Sequence, residues 1–304
     1  MSVEAVQTVR ISKLQALHVV DTLGPTERAV VDVLLHVHVA TLDQLGLAAS
    51  TAATEHDRAI VAGRAVAKLE RLGFVIRYPI DVRGSKKQVA LALSNGAVAA
   101  VTLDRVGDPV KRRERRDLRL VNSRILDHAL GVSGIYAAFA AARAEGMLAR
   151  WEHDEETISF VDGGSLRRIR ADAYGIWRWH GGEKQTFFIE YEKRPRRRET
   201  SEKIRQYYRY FYSGHYIRRE ASKLFPTVLF VTPDNDAANT ALHAIRWTNI
   251  HSSMDEYFKI AVTTTGLIRR QGITGNIWYI GTEAYTLADT AATSYPPMFE
   301  SRGF

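Results

Sequence analysis

The sequence contains no cysteine among its 304 residues. This absence excludes disulfide bonds, thiolate metal sites, thiol nucleophiles and thiol redox chemistry. No run of 18 apolar residues occurs, so no transmembrane helix is expected. The first residues, MSVEAVQTVRISK, lack the apolar stretch of a secretion signal. These absences predict a soluble, cytoplasmic protein with no membrane partner.

The composition favours a folded protein that meets a polyanion. Hydrophobic residues make up 45% of the chain, and its length is sufficient for two domains. The formal net charge is +8, from 42 basic and 34 acidic residues. The basic residues cluster in two runs, GDPVKRRERRDLR at 107–119 and KRPRRR at 193–198. A clustered positive charge favours nucleic acid through the release of counterions.

The region from about residue 25 to residue 101 has the order of a winged helix-turn-helix. Thr26 is a candidate cap for a first helix, and Thr41 for a short second helix. A third helix is predicted from about Glu55 to Leu72, because Gly73 is suited to the position after a helix end. Two strand-like runs follow, FVIRYPI and QVALALS, joined by the basic tip DVRGSKK. This order predicts a DNA-binding domain.

The predicted third helix has one apolar face and one basic face. The residues expected to reach the core are Ile60, Val66, Leu69 and Leu72. The residues expected to contact DNA are Arg64, Lys68 and Arg71 on the helix, and Arg83, Lys86 and Lys87 at the wing tip. The alternative is a winged helix that contacts proteins, with a merely solvated basic face.

The most informative stretch is a predicted hairpin. RRIRADAYGIWRWH alternates with strand periodicity, Gly181 and Gly182 mark a turn, and QTFFIEYEK follows as a second strand. A loop centred on Gly181 places Asp172 opposite Glu190, and a loop centred on Gly182 places it opposite Glu192. A two-residue turn would pair Asp172 with Tyr191 instead and separate the acids. The register therefore decides whether a carboxylate site exists.

Carboxylates gathered on one sheet face repel each other, and a divalent cation removes that cost. Asp172 and Glu190 are the predicted metal ligands, and Mg²⁺ or Mn²⁺ is the predicted ion, because such ions take oxygen ligands. A metal held there can activate water against a phosphodiester. The alternative is a hairpin whose acids pair with nearby arginines.

A helix is predicted after the hairpin, over SEKIRQYYRYFY, with Ser201 as its cap. Lys203 and Tyr207 fall on one face with Tyr210. That face either lines a site beside the acids or is only the border between the apolar and polar sides of an amphipathic helix. Ile204, Tyr208 and Phe211 fall on the neighbouring face and are expected to belong to the core. The strand TVLFVT, the helix NDAANTALHAIRW and the strand NIWYIG then predict a mixed α/β second domain.

Several of these segments resemble the replication-relaxation proteins of plasmids and other mobile elements. The resemblance covers the winged-helix start, LDHALGVSGIYAAF, IRADAYG, FFIEYE and KIRQYYRYF, from about Thr26 to about Thr232. The second domain also resembles the restriction-endonuclease, or PD-(D/E)XK, fold. That resemblance implies that Asp172 and Glu190 are catalytic.

The resemblance to the nuclease fold departs from its pattern at one position. Two residues after Glu190, where that fold has a lysine, this chain has Glu192. Lys203 from the following helix is the expected substitute for that lysine. Glu192 is also a candidate catalytic residue, beside Asp172, Glu190 and Lys203. The alternative is a domain that kept the fold and lost the chemistry. The resemblance also places His128 and Glu152 near the site, although a structural histidine and an acidic surface run explain them as well.

These arguments predict an α/β protein with four segments. They are a winged helix-turn-helix domain at 1–105, a basic linker at 106–120, a restriction-endonuclease-like domain at 121–285 and a C-terminal tail at 286–304. The expected function is DNA binding for a plasmid or mobile element, with metal-dependent nuclease or nickase activity in replication or mobilisation. The alternative is a non-catalytic DNA-binding replication or transcription factor. Expected partners are double-stranded DNA, a second copy of the chain in a homodimer, and replication or mobilisation proteins. Arg196 and Arg197 are also expected to contact the DNA.

Overall fold

The computed structural model describes residues 11–80, 88–106, 123–153, 158–220, 222, 224–250 and 258–291. The chain divides into two compact units, Met1–Ala141 and Ala142–Phe304. Within the described ranges, no helix combines the length and the apolar character that crossing a membrane requires.

The first unit is mainly helical. Its helices are α1 Lys13–Thr22, α2 Pro25–Val37, α3 Leu42–Ala49, α4 Glu55–Arg71, α5 Asn95–Val106 and α6 Ser123–Ala141. Its strands are β1 Val75–Ile80 and β2 Gln88–Leu93, which pair in antiparallel fashion. A single bridge from Ala40 to Leu91 ties the connection between α2 and α3 to this hairpin. The predicted helix order and both strand-like runs are therefore confirmed.

The helix starts explain one wrong prediction in this unit. α2 begins at Pro25 after Gly24, so Thr26 lies inside the helix and does not cap it. Proline suits the first helical position, because its fixed φ is already helical and its missing N–H would have had no partner. Thr41 does cap α3, and its side chain accepts from the backbone N–H of Gln44.

The core face of α4 differs from the prediction at one end. Val66 and Leu69 are buried as expected, together with two alanines, Ala62 and Ala65. Ile60 is 38% exposed, so its assignment to the core is wrong. It lies in the second turn of α4, and the buried part of the helix begins after it.

The second unit is a mixed α/β structure. Its strands are β3 Gly146–His153, β4 Ile158–Asp162, β5 Ser165–Ile169, β6 Ala173–Trp179, β7 Lys184–Tyr191, β8 Thr227–Thr232, β9 Ile260–Thr264, β10 Trp278–Ile280 and β11 Glu283–Tyr285. Its helices are α7 Arg197–Ser213, α8 His215–Glu220, α9 Asn235–Ile250 and α10 Thr265–Gln271, with a short 3₁₀ helix at Ala288–Thr290.

The main sheet of this unit has the order β11-β10-β9-β8-β7-β6-β3. β3, β6 and β7 form an antiparallel meander. β8 and β9 run parallel to β7, with α7 and α9 as the connections. The mixed α/β class is therefore confirmed. Residues 286–291, at the start of the segment expected to be a tail, pack on this sheet, where Gln185 donates to Leu287 and Thr290.

The periodicity predicts one strand over residues 167–180. The structure instead has two separate strands in this stretch. Its first part is β5, which pairs with β4 in a separate hairpin. Its second part is β6 in the main sheet, and Asp172 lies just before that strand begins. In the sequence, the alternation of polar and apolar residues continues through residues 170–172. The pattern alone therefore does not reveal the break between β5 and β6.

α7 begins earlier than predicted. Its first residue is Arg197 with Arg196 at the cap position, and Ser201 lies inside the helix, 3% exposed. Arginine is a good helix former, so the basic run continues into the helix once Pro195 is passed. β7 stops at Tyr191, so no strand runs through Pro195.

Gly175 is a position where any side chain is expected to be costly. It pairs with Phe187 across β6 and β7, and an added Cβ would lie 2.4 Å from the fully buried Phe187 ring. Gly175→Ala should therefore lower the free energy of unfolding by about 1–3 kcal/mol, the usual cost of overpacking a core. Urea unfolding checks this result. Gly181→Ala is the control, because its Cβ would meet nothing within 4 Å. Equal stabilities of the two variants would contradict the prediction.

Candidate functional site

The register of β6 and β7 brings Asp172 and Glu190 together. Ala173 pairs with Ile189 at the end of the ladder, so Asp172 and Glu190 each lie one residue beyond this pair. Of the registers that the sequence left open, this is the one for a loop centred on Gly181. The Asp172 backbone N–H donates to the carbonyl of Ile189, and its Oδ2 accepts from the Tyr191 N–H at 2.7 Å. The backbone of β7 therefore fixes both ends of Asp172.

Glu190 is fully buried and is held by two groups from α7. Its Oε2 accepts from Lys203 Nζ at 2.6 Å, and its Oε1 accepts from the Tyr207 hydroxyl at 2.5 Å. Lys203 Nζ also donates to Glu192 Oε1 at 2.5 Å. The side chains of Lys203 and Glu192 are 30% and 21% exposed, so the cluster opens to solvent on their side.

The charges of the cluster perturb each other strongly. Burial, with a further contribution from Asp172, raises the pKa of Glu190 to about 7, although Lys203 opposes the shift. Burial by itself would lower the pKa of Lys203, but the three carboxylates raise it above its usual value. Burial and Glu190 raise the pKa of Tyr207 well above 10. Lys203 therefore stays charged and Tyr207 stays protonated at neutral pH.

One face of α7 supplies both partners of Glu190. Lys203 and Tyr207 are four residues apart, which places them on the same side of a helix. The sequence left open whether this face lines a site or forms a margin, and the contacts of both residues with Glu190 favour the first alternative. Tyr210 packs in the core against Phe188 and Phe160, so it does not join the cluster.

The donor set suits a hard cation such as Mg²⁺ or Mn²⁺, since it consists of oxygen atoms. The part of the chain that the structure describes contains no group of three or more histidine or acidic side chains arranged to hold a metal. Two protein carboxylates are enough for Mg²⁺, which usually completes its shell with water and phosphate oxygens. Each carboxylate offers about four lone-pair positions, so the bonds to Glu190 and Asp172 leave acceptor capacity on both.

Glu152 also lies on this face of the sheet but has other partners. It pairs with Tyr174 in the register of β3 and β6. Its carboxylate is ion-paired with Arg150 and, at 2.8 Å, with Arg219 of α8. This acid is therefore held by arginines rather than by the cluster at Glu190. His128 lies in α6 of the first unit, half-buried.

The predicted DNA contacts are distributed over both units. Arg64 and Arg71 are exposed on α4. Lys68 on the same helix is ion-paired with Glu27 of α2 at 3.1 Å. The wing-tip residues Arg83, Lys86 and Lys87 lie outside the described residues.

The other two predicted DNA contacts lie at the start of α7. Arg196 is exposed and pairs with Glu199 at 3.0 Å. Arg197 lies over the ring of Trp247 at 4.0 Å. Trp247 has no distinguishing signal in the sequence, because an aromatic residue in a helical pattern is usually core.

The fold and the site define an α/β protein whose second unit buries a glutamate between a lysine and a tyrosine, with an aspartate opposite. A family model described as replication-relaxation matches residues 32–228, more than half of the chain. The chain therefore belongs to the replication-relaxation family, and the predicted resemblance is confirmed. No curated protein and no solved structure matches the chain.

Proposed function

We propose that this protein binds double-stranded DNA in the replication or mobilisation of a plasmid or other mobile element, and that its second unit nicks or cuts DNA with Mg²⁺ or Mn²⁺. Membership of the replication-relaxation family suggests that biological setting. The observation that carries the cutting proposal is that Asp172 is bonded to the Tyr191 N–H, next to Glu190, while Lys203 is bonded to Glu190 itself.

The order of elements in the first unit supports duplex binding. α2, α3 and α4 are followed by the β1–β2 hairpin, which is the order of a winged helix-turn-helix. In such domains the third helix enters the major groove and the hairpin reaches the backbone. Arg64 and Arg71 are exposed on α4 for that purpose.

The order of elements in the second unit supports a restriction-endonuclease-like fold. An antiparallel meander of β3, β6 and β7 is followed by α7 and by β8 parallel to β7. Asp172 directly precedes β6 and Glu190 lies on β7, which fits the order of the two acids in the signature of that fold. Lys203 reaches Glu190 from α7, which fits the expected substitution for the missing lysine of the strand.

Each residue of the cluster has a chemical part in this proposal. Asp172 and Glu190 would hold the ion, which supplies a Lewis acid and an activated water when bound. The Lys203 ammonium group keeps a positive charge beside them, where a scissile phosphate would gain stabilisation. Tyr207 stays protonated and fixes the rotamer of Glu190 by its hydrogen bond.

The bonds made by Glu190 favour a second candidate, a DNA-binding factor that does not cut. Both oxygens of Glu190 accept hydrogen bonds from protein groups. The Lys203 ammonium group lies between two glutamates, where a metal ion would otherwise balance their charge. A cluster of this kind is electrostatically satisfied without a metal. The second unit would then serve as a scaffold.

One assay separates the two candidates. Purified protein is incubated with supercoiled plasmid in Mg²⁺, Mn²⁺ or EDTA, and the binding of a duplex is measured in parallel. We expect nicking by the parent protein only with metal, and its loss in Asp172→Ala and Glu190→Ala while duplex binding remains. The double variant Arg64→Ala with Arg71→Ala should bind the duplex with a shallower salt dependence. The slope of the logarithm of the binding constant against the logarithm of the salt concentration should fall by about 2.

The control for the cutting arm is Glu183→Ala, since this acid is exposed in the loop between β6 and β7, away from the cluster. Duplex binding without nicking by the parent in either metal would reject the nuclease and retain the DNA-binding factor. An absence of duplex binding would reject both.

A further inference from the structure

A surface of arginines and one tryptophan lies at the start of α7, and we call it the Arg–Trp surface. It consists of Arg194, Arg196, Arg197 and Arg198, with Arg246 and Trp247 of α9. All six side chains are exposed, and Trp247 is 47% exposed. The arginines outnumber the acids beside them, so the surface is complementary to a polyanion.

Trp247 is unusual among the tryptophans of this chain. Trp151, Trp177 and Trp278 are at most 7% exposed, as expected for large apolar rings. Trp247 instead presents nearly half of its side chain to solvent, with the guanidinium group of Arg197 over its ring at 4.0 Å. This cation–π contact holds the indole in one orientation at the surface.

An exposed aromatic ring among arginines is the combination that binds single strands of nucleic acid. Arginines contact the phosphates, and the ring stacks on a base. In a duplex the base faces are covered by their neighbours, so only an unpaired base can stack on Trp247. The pair of Arg196 with Glu199 does not compete strongly, because both side chains are more than half exposed and such pairs are weak.

The position of this surface along the chain connects it to the candidate site. Glu190 lies on β7 and Glu192 directly follows the strand, and the arginine run begins two residues later at Arg194. α7 then continues from Arg197 to Lys203, less than two turns later. A strand bound at Arg197 therefore lies close to the carboxylates.

We infer that the Arg–Trp surface binds single-stranded DNA and stacks one unpaired base on Trp247. This inference rests on the proposed function, which makes DNA the ligand. It adds that the second unit engages an unpaired strand by itself, apart from any duplex binding by the first unit.

The test uses the full chain with a 15-nucleotide oligo(dT) and an abasic strand of the same length. The abasic strand keeps the phosphates and removes the bases. The parent should bind oligo(dT) at least tenfold more tightly than the abasic strand, and oligo(dT) should quench part of its tryptophan fluorescence. The quenching should vanish in Trp247→Phe, which keeps a stacking ring and most of the affinity.

Two further variants separate stacking from charge. Trp247→Ala should weaken oligo(dT) binding about tenfold and leave the affinity for the abasic strand unchanged, since stacking on one base accounts for that factor. Arg197→Ala with Arg198→Ala should lower the salt slope for single strands by about 1.4. Arg178→Ala, an exposed arginine near the far end of β6, is the matched control and should change neither. Thermal unfolding of each variant verifies its fold.

The outcomes distinguish this inference from the proposed function. If the parent binds a duplex but binds oligo(dT) no better than the abasic strand, the inference is overturned and the proposed function stands. Tighter binding of oligo(U) than of oligo(dT) also overturns it, because the ligand would then be RNA. If the parent binds neither duplex nor single strand, both proposals fail.

Discussion

Lys203→Met is expected to lower the free energy of unfolding by about 3 kcal/mol at pH 8, the lower end of the cost of breaking a buried ion pair. The lower end applies because the Lys203 side chain is 30% exposed. The variant leaves Glu190 fully buried without its cation, and methionine keeps the length of the side chain. Urea unfolding in EDTA measures the loss, and EDTA removes any contribution from bound metal.

The same variant should lose less stability at low pH. At pH 5 Glu190 is protonated in the folded parent, because its pKa is raised to about 7. Removing Lys203 then leaves no buried negative charge at Glu190, so the cost should shrink by about 1–2 kcal/mol between pH 8 and pH 5. Lys184→Met, an exposed lysine on β7, is the control and should stay within about 0.5 kcal/mol of the parent at both pH values. A cost for Lys203→Met as small as that of the control would refute the buried pair.

Glu190→Gln should abolish a pH dependence that the parent shows. The pKa of Glu190 is raised from 4.5 to about 7 on folding, so the unfolded chain releases this proton first as the pH rises. The contribution of Glu190 to stability is therefore fully present below pH 4.5 and is lost as the pH rises to about 7. The loss is about 3 kcal/mol, at about 1.4 kcal/mol for each pH unit.

The measurement is the difference in unfolding free energy between the parent and Glu190→Gln, taken at several pH values from 4.5 to 8 in EDTA. This difference should move by about 3 kcal/mol in favour of the glutamine variant as the pH rises. Glutamine keeps an acceptor for the Tyr207 hydroxyl, so the comparison isolates the charge. Glu183→Gln, at an exposed acid, is the matched control and should stay within about 0.5 kcal/mol of the parent. If Glu190→Gln behaves in the same way, the buried carboxylate titrates normally and the description of the site is wrong.

The sequence predicted this site to the extent that local periodicity defines it. Alternation placed Asp172, Glu190 and Glu192 on one face, and the glycine pair limited the register to a few alternatives. The helical spacing of Lys203 and Tyr207 placed them together but did not show which element they face. Only the packing of α7 on the sheet, which depends on residues far apart in the chain, decides that question.

The fold was predictable in its class and less so in its boundaries. Helix and strand order in the first unit follows from apolar spacing and glycine positions. The break between β5 and β6 has no local signal, because the alternation passes through it without interruption. The burial of Ile60 was predicted wrongly because a helical pattern does not specify where the neighbouring element ends. The exposure of Trp247 has the same origin, since the pattern cannot show how much of the ring the neighbouring elements cover.

The bonds around Glu190 affect how relatives of this chain should be compared. Lys203, Tyr207 and Glu190 contribute to folding whether or not any DNA is cut, because each satisfies a buried group of another. Losing one member costs more than exchanging the whole set for apolar side chains. A relative of this chain is therefore expected to keep this trio intact or to replace it together. Asp172 accepts from the Tyr191 backbone N–H of β7, so an acid at its position also has a structural reason to be kept.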